Sequence, residues 1–244
     1  KLYKLVNNTW VVQSAATVGS GNIYYMEVAP TNNDIMFVSN GTQLFKSTNR
    51  GLSFSLVYTA PSAITSIDVN YSDANIVYIT TSGVSGTVRK STNGGSTFTD
   101  ITSGIPNIGK NIIIHQGRNS LNPLYVGTSL GVYYKDDSMS SFQAFDTNLP
   151  NVDVTDLEIN LEDGKIIAGT YGRGIWQSNI PIEIPSNDVK LVSIQQPTTG
   201  VACSGSVTPQ VEVKNNGLNT ISSVVVNYTV DGTLHTYNWS GTIA

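Results

Sequence analysis

Charge, cysteine and histidine are all scarce in this sequence. Of its 244 residues 12% are charged, the net charge is −4 and Lys and Arg form no cluster, which argues against a nucleic-acid partner. Cys203 is the single cysteine, so a disulfide within the chain is excluded, and no His motif accompanies it for nucleophilic catalysis. The two histidines, His115 and His235, are too few for a metal site. We therefore expect neither a metal nor another cofactor.

Long apolar runs are absent as well. No stretch reaches the roughly 18 residues that predict a membrane span, and the opening segment Lys1–Lys4 is not followed by the apolar core of a signal peptide. The chain instead combines many Asn, Ser, Thr and Gly residues with frequent Val, Ile and Tyr. This composition is typical of a soluble all-β protein.

A repeated phrase organises the chain. Ser47–Phe54 reads Ser-Thr-Asn-Arg-Gly-Leu-Ser-Phe, and Ser91–Phe98 reads Ser-Thr-Asn-Gly-Gly-Ser-Thr-Phe. Their final phenylalanines lie 44 residues apart, and a worn third copy ends a further 44 residues on, at Phe142. A fixed period of this length, built from short β-like runs, predicts a repeat architecture.

Each repeat contains short strand-like runs separated by turn residues, and four such strands make one blade of a β-propeller. Residues 1–13 match the end of a repeat, so they predict the last two strands of a blade whose first two strands are missing. Residues 1–180 are therefore predicted to form half a blade and four repeats. The repeats are predicted over Ile23–Val57, Ile64–Ile101, Ile112–Phe145 and Val154–Ile180.

The repeated phrase resembles the Asp-box, or neuraminidase-type repeat, of β-propellers, whose form is Ser-x-[Asp/Asn]-x-Gly-x-[Ser/Thr]-[Phe/Trp]. In the third copy Asp137 holds the Asn position and Met139 replaces the glycine. Such repeats occur in sialidases, xyloglucanase-type glycoside hydrolases, sortilin-type receptors and photosystem assembly factors. The resemblance implies a partial Asp-box propeller, because propellers of this kind are generally larger than the four and a half blades predicted here.

The phrase itself is best interpreted as a structural turn. Its Asn can hydrogen-bond the backbone of its own turn, its Gly is expected to take φ > 0, and its Phe is expected to pack between blades. This chemistry accounts for the motif without a ligand, so we prefer it to a sugar- or ion-binding site. The residues predicted to build the two turns are Ser47, Asn49, Gly51 and Phe54, and Ser91, Asn93, Gly95 and Phe98.

The repeat pattern stops at a proline-containing segment, residues 181–187, which we interpret as a linker. Residues 188–244 resemble the first half of an immunoglobulin-like sandwich of the CARDB-like adhesion type, and a complete sandwich needs about seven strands. We therefore expect an incomplete Ig-like domain and a longer parent chain. The strands are predicted over Val189–Ile194, Val207–Val213, Val224–Val230 and Leu234–Trp239.

Acidic residues in the first strand of the repeats are candidates for a site in the central channel. An alignment of the repeats places Glu27, Asp68 and His115 at one position and Glu158 one residue away. The carboxylates could act as acid, base or nucleophile in glycoside cleavage, and His115 could contact a ligand. The alternative is hydrogen bonding between blades or to channel water. We favour this alternative because no second catalytic signature accompanies the carboxylates.

A second candidate site lies in a loop on the face opposite the repeated turns. In the segment Gly169–Trp176, Tyr171 and Arg173 offer stacking and charge to a ligand. The alternative is a tight turn with ordinary surface side chains.

We favour a non-catalytic binding or scaffold propeller whose partner is a glycan or a surface protein. The alternative is part of a secreted glycoside hydrolase of xyloglucanase-like type. The ending Gly169–Ser178, followed by a proline linker and a CARDB-like module, is similar to large Bacteroidota proteins exported by the type IX pathway, which implies a secreted or cell-surface location. A sialidase is disfavoured because that family needs an arginine triad, and the arginines here do not occupy equivalent inner-strand positions.

Overall fold

The computed structural model describes residues 2–14, 18–19, 21–197, 208–230 and 232–244. These residues form 21 β-strands. The chain divides into two compact units, Lys1–Ile182 and Glu183–Ala244, and the boundary falls inside the predicted linker. In the described part of the chain, no helix has the length and apolar character of a membrane span. Cys203 lies outside the described residues.

The first unit begins with a hairpin and continues as four antiparallel sheets in chain order, which is the blade organisation of a β-propeller. Blades 1 to 3 have four strands each, and blade 4 has three among the described residues. The strands are β1 (Tyr3–Val6) and β2 (Thr9–Val12) in the hairpin; β3 (Tyr25–Val28), β4 (Met36–Asn40), β5 (Gln43–Ser47) and β6 (Ser55–Thr59) in blade 1; β7 (Ile64–Val69), β8 (Val77–Thr81), β9 (Val88–Ser91) and β10 (Thr99–Asp100) in blade 2; β11 (Lys110–His115), β12 (Leu124–Thr128), β13 (Gly131–Lys135) and β14 (Gln143–Ala144) in blade 3; and β15 (Val154–Asn160), β16 (Lys165–Thr170) and β17 (Gly174–Asn179) in blade 4.

The first strand of each blade is the inner one. Strand β7 contacts β3 on one side and β11 on the other, and β11 in turn contacts β15. The core lies between the blades. One apolar cluster joins Phe37 and Leu44 of blade 1 to Ile67 and Ile79 of blade 2, and further clusters lie between blades 2 and 3 and between blades 3 and 4.

The two repeated turns, called box turns below, have the local structure that was predicted. In the second box turn, the Ser91 hydroxyl accepts hydrogen bonds from the backbone N–H groups of Asn93 (3.3 Å) and Gly95 (3.0 Å). The Asn93 side-chain oxygen accepts from the backbone N–H of Thr97 at 2.9 Å. Ser47 and Asn49 make the same bonds in the first box turn. The predicted Asx-type turn is therefore confirmed.

The glycine and phenylalanine of each box turn also take their predicted places. Gly51 and Gly95 have φ values of 77° and 85°. The Phe98 ring packs back on blade 1, with its centroid 4.6 Å from that of Tyr58. Phe54 packs against a separate cluster on the other face of blade 1. Both rings are half-buried.

The third turn keeps the sequence alignment, since Asp137 follows Tyr134 by three residues as Asn93 follows Lys90, and these two residues hold equivalent places in the strand registers. Its hydrogen bonds differ from those of the box turns. The Asp136 carboxylate, not that of Asp137, closes this turn, since its Oδ1 accepts from the backbone N–H of Ser138 at 2.9 Å and from its hydroxyl at 2.6 Å. Asp137 Oδ2 instead accepts from the Asn122 amide at 2.7 Å. Both hydrogen bonds to Ser138 and one from the Tyr134 hydroxyl lower the pKa of Asp136.

The described residues of the second unit form two antiparallel strand pairs in separate sheets. Strand β18 (Val189–Gln196) pairs with β19 (Gln210–Asn215), and β20 (Ile221–Val230) pairs with β21 (Thr233–Ile243). Four strands occur where four were predicted, although residue 207, the predicted start of the second one, lies outside the described residues. The Ig-like sandwich stays a prediction.

Substitution of Gly95 tests the packing of the box turn. A Cβ at Gly95 would lie 3.1 Å from Phe37 Cε1, whereas a Cβ at Gly83, which also has positive φ (90°), would meet nothing within 4 Å. Gly83→Ala should cost about 1 kcal/mol of unfolding free energy through backbone strain. Gly95→Ala should cost about 1–3 kcal/mol more, because the fully buried Phe37 cannot move aside. Urea denaturation measures both, and equal losses would contradict the packing argument.

Candidate functional site

The strand pairing brings all three predicted carboxylates to one register and moves the histidine out of it. Glu27, Asp68 and Glu158 each lie opposite the second-strand residue used in the alignment, at Phe37, Tyr78 and Ile167 respectively. In blade 3 the equivalent position is Ile114, and His115 pairs with Leu124 instead. The prediction that His115 shares the position and that Glu158 lies one residue away was therefore wrong.

Loop length explains this error. The connection between the first and second strands is closed by a backbone hydrogen bond that runs from Asn70 to Ile76 in blade 2 and from Gln116 to Pro123 in blade 3. The blade 3 connection is therefore one residue longer. A residue count that assumes equal loops shifts the first strand of blade 3 by one position, which moves a side chain to the other face of the sheet.

Asp68 is half-buried and bridges blades 2 and 3. Its Oδ1 accepts from the backbone N–H of Val69 at 2.8 Å, and its Oδ2 accepts from the backbone N–H of His115 in the next blade. Burial raises the pKa of Asp68 to about 8; the charges of Glu27 and Glu158 add to this rise, and the two backbone N–H groups oppose it. Because both oxygens are bonded to the backbone, this carboxyl group links two blades.

The other two carboxylates have different surroundings. Glu27 is half-buried, and burial raises its pKa, with a smaller contribution from the charge of Glu158. Glu158 itself is exposed on blade 4. The cluster therefore contains two half-buried carboxyl groups and one exposed one, which are close enough for their charges to interact.

His115 is a buried interblade residue. Its ring is 8% exposed and stacks on the Tyr78 ring with centroids 5.8 Å apart. Nδ1 accepts from the backbone N–H of Tyr71 at 3.2 Å, and Nε2 lies 3.0 Å from the Asn70 amide nitrogen. Burial lowers the pKa of His115 to about 4. Both ring nitrogens therefore face protein groups, and the neutral ring acts in packing.

In the loop that contains Tyr171, hydrogen bonds fix the backbone while side chains remain exposed. The backbone N–H of Tyr171 donates to the Asp153 carbonyl at 2.8 Å, and the Thr170 hydroxyl donates to the Gly174 carbonyl at 2.6 Å. The Trp176 indole N–H donates to the Arg173 carbonyl at 3.0 Å. The Tyr171 side chain is nevertheless 78% exposed, and Arg173 is exposed as well. This arrangement offers an aromatic ring and a guanidinium group with little loss of backbone freedom on binding.

Metal ligands are not clustered in the described part of the chain. No three His, Cys, Asp or Glu side chains there are placed to hold a metal ion together. In the box turns, the Ser47 and Ser91 hydroxyls donate to the side chains of Asn49 and Asn93. The chemistry in the described residues is therefore that of carboxylates, an exposed aromatic ring and a guanidinium group.

Comparison with known proteins places the fold. No protein-family profile matches the chain, and no curated protein sequence matches it. Among solved structures, the GH74 enzyme of Niastella koreensis superimposes with a TM-score of 0.53 at 17% identity, over 64% of this chain and 28% of that one. The GH74 xyloglucanase from Xanthomonas campestris gives 0.52 at 14% identity, over 63% and 28%. The extracellular domain of a hybrid two-component system from B. thetaiotaomicron gives 0.51 at 15% identity, over 66% and 24%.

These similarities show a shared β-propeller fold. Because the identities are low, they say nothing further about chemistry. The chain spans 28% of the length of the two GH74 proteins.

The raised pKa of Asp68 predicts a pH-dependent stability. The folded state binds this proton more tightly than the unfolded chain, because the pKa rises from 3.8 to about 8. The stabilising effect is therefore complete below about pH 4 and is lost as the pH rises through about 8. Asp68 should contribute a fall in unfolding free energy of about 1.4 kcal/mol per pH unit between about pH 5 and 7.

Asp68→Asn should remove this contribution, since an amide does not titrate. Asp156→Asn is the matched control, because Asp156 makes the same bond to its following N–H (3.0 Å to Leu157) but is exposed. Urea unfolding across the pH range measures all three proteins. An identical pH dependence in wild type and Asp68→Asn would contradict the assignment.

Proposed function

We propose that the first unit is a non-catalytic binding or scaffold region of a secreted or cell-surface protein, with a glycan or a surface protein as its partner. The observation that carries this proposal is the bonding of Asp68, the central member of the carboxylate cluster, to backbone N–H groups of two blades. Glycoside cleavage needs two carboxyl groups that flank the scissile bond from opposite sides. A carboxyl group whose two oxygens both accept backbone N–H groups stabilises the blades instead.

The ligand-binding surface of this proposal is the Tyr171 loop. Tyr171 can stack on a sugar ring or a side chain, and Arg173 can pair with a carboxylate or sulfate group. His115, the third candidate from the sequence, is enclosed and belongs to the scaffold. Binding residues on loops carried by a rigid β scaffold are common.

The secreted location rests on two indirect supports. The sequence resembles type IX-exported surface proteins of Bacteroidota, and one structural neighbour is an extracellular domain. The second unit, with its two hairpins, serves in this proposal as part of an Ig-like, CARDB-like adhesion module that follows the propeller.

One observation favours the alternative of a glycoside hydrolase. Two structural neighbours are GH74 proteins, and one of them is a xyloglucanase. In this alternative the present chain is one portion of a larger enzyme, and Glu158 is its accessible carboxylate. Residues outside this chain then complete the catalytic pair.

Hydrolysis and binding assays distinguish these functions. We expect the protein to release no reducing sugar from a soluble β-glucan, because both Asp68 oxygens accept backbone N–H groups. In a glycan and surface-protein binding screen, Tyr171→Ala should weaken retention of any bound ligand by about tenfold or more. Tyr237→Ala, which removes an exposed tyrosine of the second unit, is the control and should have no effect. Sugar release that is lost in Glu158→Gln would support the hydrolase instead.

A further inference from the structure

A cavity of about 610 Å³ lies between blades 3 and 4, beside the last strand of the propeller unit. Its floor consists of buried side chains of blade 4, its far wall comes from the segment after β14, and β17 forms one edge. Lys165 is the only charged residue in its lining. The main apolar lining residues are Phe145, Leu149, Leu157, Ile166, Ala168 and Trp176.

The same place is filled by an aromatic ring between blades 2 and 3. There Phe142, which directly precedes β14, is 2% exposed within one apolar cluster. The strand registers and the turn hydrogen bonds show that the residues around Phe142 hold the same places in blade 3 as the cavity-lining residues do at blade 4. The equivalent pairs are Ile105 and Leu149, Ile113 and Leu157, Leu124 and Ile166, and Val126 and Ala168.

Blade 4 supplies no such ring. The chain beyond β17 is fixed elsewhere: the backbone N–H of Ile180 donates to the Gly164 carbonyl at 2.9 Å, and the Gln116 amide of blade 3 donates to the Pro181 carbonyl. No described residue of the first unit pairs with the outer edge of β17. All six residues of this strand are exposed, and it contains neither charge nor proline to block pairing.

We propose that this edge binds an extended peptide of a partner protein, which pairs with β17 as a fourth strand and inserts an aromatic side chain into the cavity. In blade 3 the fourth strand runs antiparallel to β13, and Phe145 N–H donates to the Val132 carbonyl at 2.8 Å. The residue equivalent to Val132 in β17 is Ile175. The bound peptide therefore uses the Ile175 carbonyl and places its aromatic residue opposite Ser178.

The charge of the cavity lining indicates which peptide sequences the site prefers. Lys165 Nζ lies at the end of β17, where it donates to the Asn179 side chain at 2.9 Å. Because the lining contains one cation and no carboxylate, the site favours an acidic residue on the N-terminal side of the aromatic one. This surface is separate from the Tyr171 side chain of the proposed ligand loop, so the two proposals can fail independently.

One residue limits how deeply the peptide sits. Gly104 lets the Phe142 backbone approach closely, since a Cβ there would lie 2.1 Å from the Phe142 carbonyl oxygen. Asn148 holds the equivalent position beside the cavity, also with positive φ (66°). Its side chain keeps a bound strand farther out than Phe142 lies in blade 3, so Asn148→Gly should tighten binding.

The test uses the whole chain and a fluorescein-labelled peptide with the sequence of residues 136–145, Asp-Asp-Ser-Met-Ser-Ser-Phe-Gln-Ala-Phe. We expect saturable binding by fluorescence anisotropy at concentrations below about 1 mM. A peptide with Ser in place of the Phe142 residue should bind about tenfold more weakly, because the cavity stays empty. A peptide methylated on the nitrogen of the Phe145 residue should also lose affinity, because it cannot donate to β17.

Protein variants locate the site. Trp176→Ala and Lys165→Gln should weaken binding, Asn148→Gly should strengthen it, and Tyr171→Ala should leave it unchanged, with circular dichroism and thermal unfolding as folding controls. Absence of saturable binding, or equal affinity for the Phe and Ser peptides, would overturn the proposal. Sedimentation velocity tests the other occupant: a dimer that Trp176→Ala converts to a monomer, without peptide binding, would assign this edge to a second copy of the chain and overturn it equally.

Discussion

The structure depends on the burial of one apolar blade face by the next blade. Leu44, Val88 and Val132 occupy the same place in the third strands of blades 1 to 3, and they are 0%, 0% and 3% exposed. Ile175 holds that place in blade 4 and is 79% exposed. Burial of such side chains is the dominant stabilising term, so each blade depends on its neighbour, as in other repeat proteins.

This constraint assigns a role to the polar features. The box turns satisfy their own backbone groups, and Phe98 of the second box turn packs against the preceding blade. Asp68 and His115 join neighbouring blades close to the inner strands, where a polar side chain must find partners. The two proposed binding surfaces, the Tyr171 loop and the edge of β17, are exposed in the described part of the chain.

Local chemistry was predictable from the sequence, and long-range register was not. The box turn depends on contacts within four residues, so Ser91, Asn93 and Gly95 revealed it by spacing alone. The position of His115 depends on the length of a loop, and sequence spacing does not show where an extra residue is accommodated. The raised pKa of Asp68 also escaped prediction, because it results from the packing of a separate blade.

The cavity beside Trp176 was missed for a related reason. Its sequence signal was the missing box phrase in the fourth repeat, which indicates an absent aromatic ring. The structure shows that the side chains that would surround such a ring, Leu149, Leu157 and Ile166, are present and line the cavity. The missing box phrase therefore indicated a candidate binding site, but only after the equivalent positions of the blades had been compared in three dimensions.

Position among the blades, and not residue type, decides whether an apolar side chain is buried against the next blade or lies exposed. Urea unfolding of Val88→Ala and Ile175→Ala tests it most directly, because the two residues are equivalent. We expect Val88→Ala to cost about 2–3 kcal/mol and Ile175→Ala to cost less than about 0.5 kcal/mol, although it removes the larger side chain. Equal losses, or a larger loss for Ile175→Ala, would contradict the account.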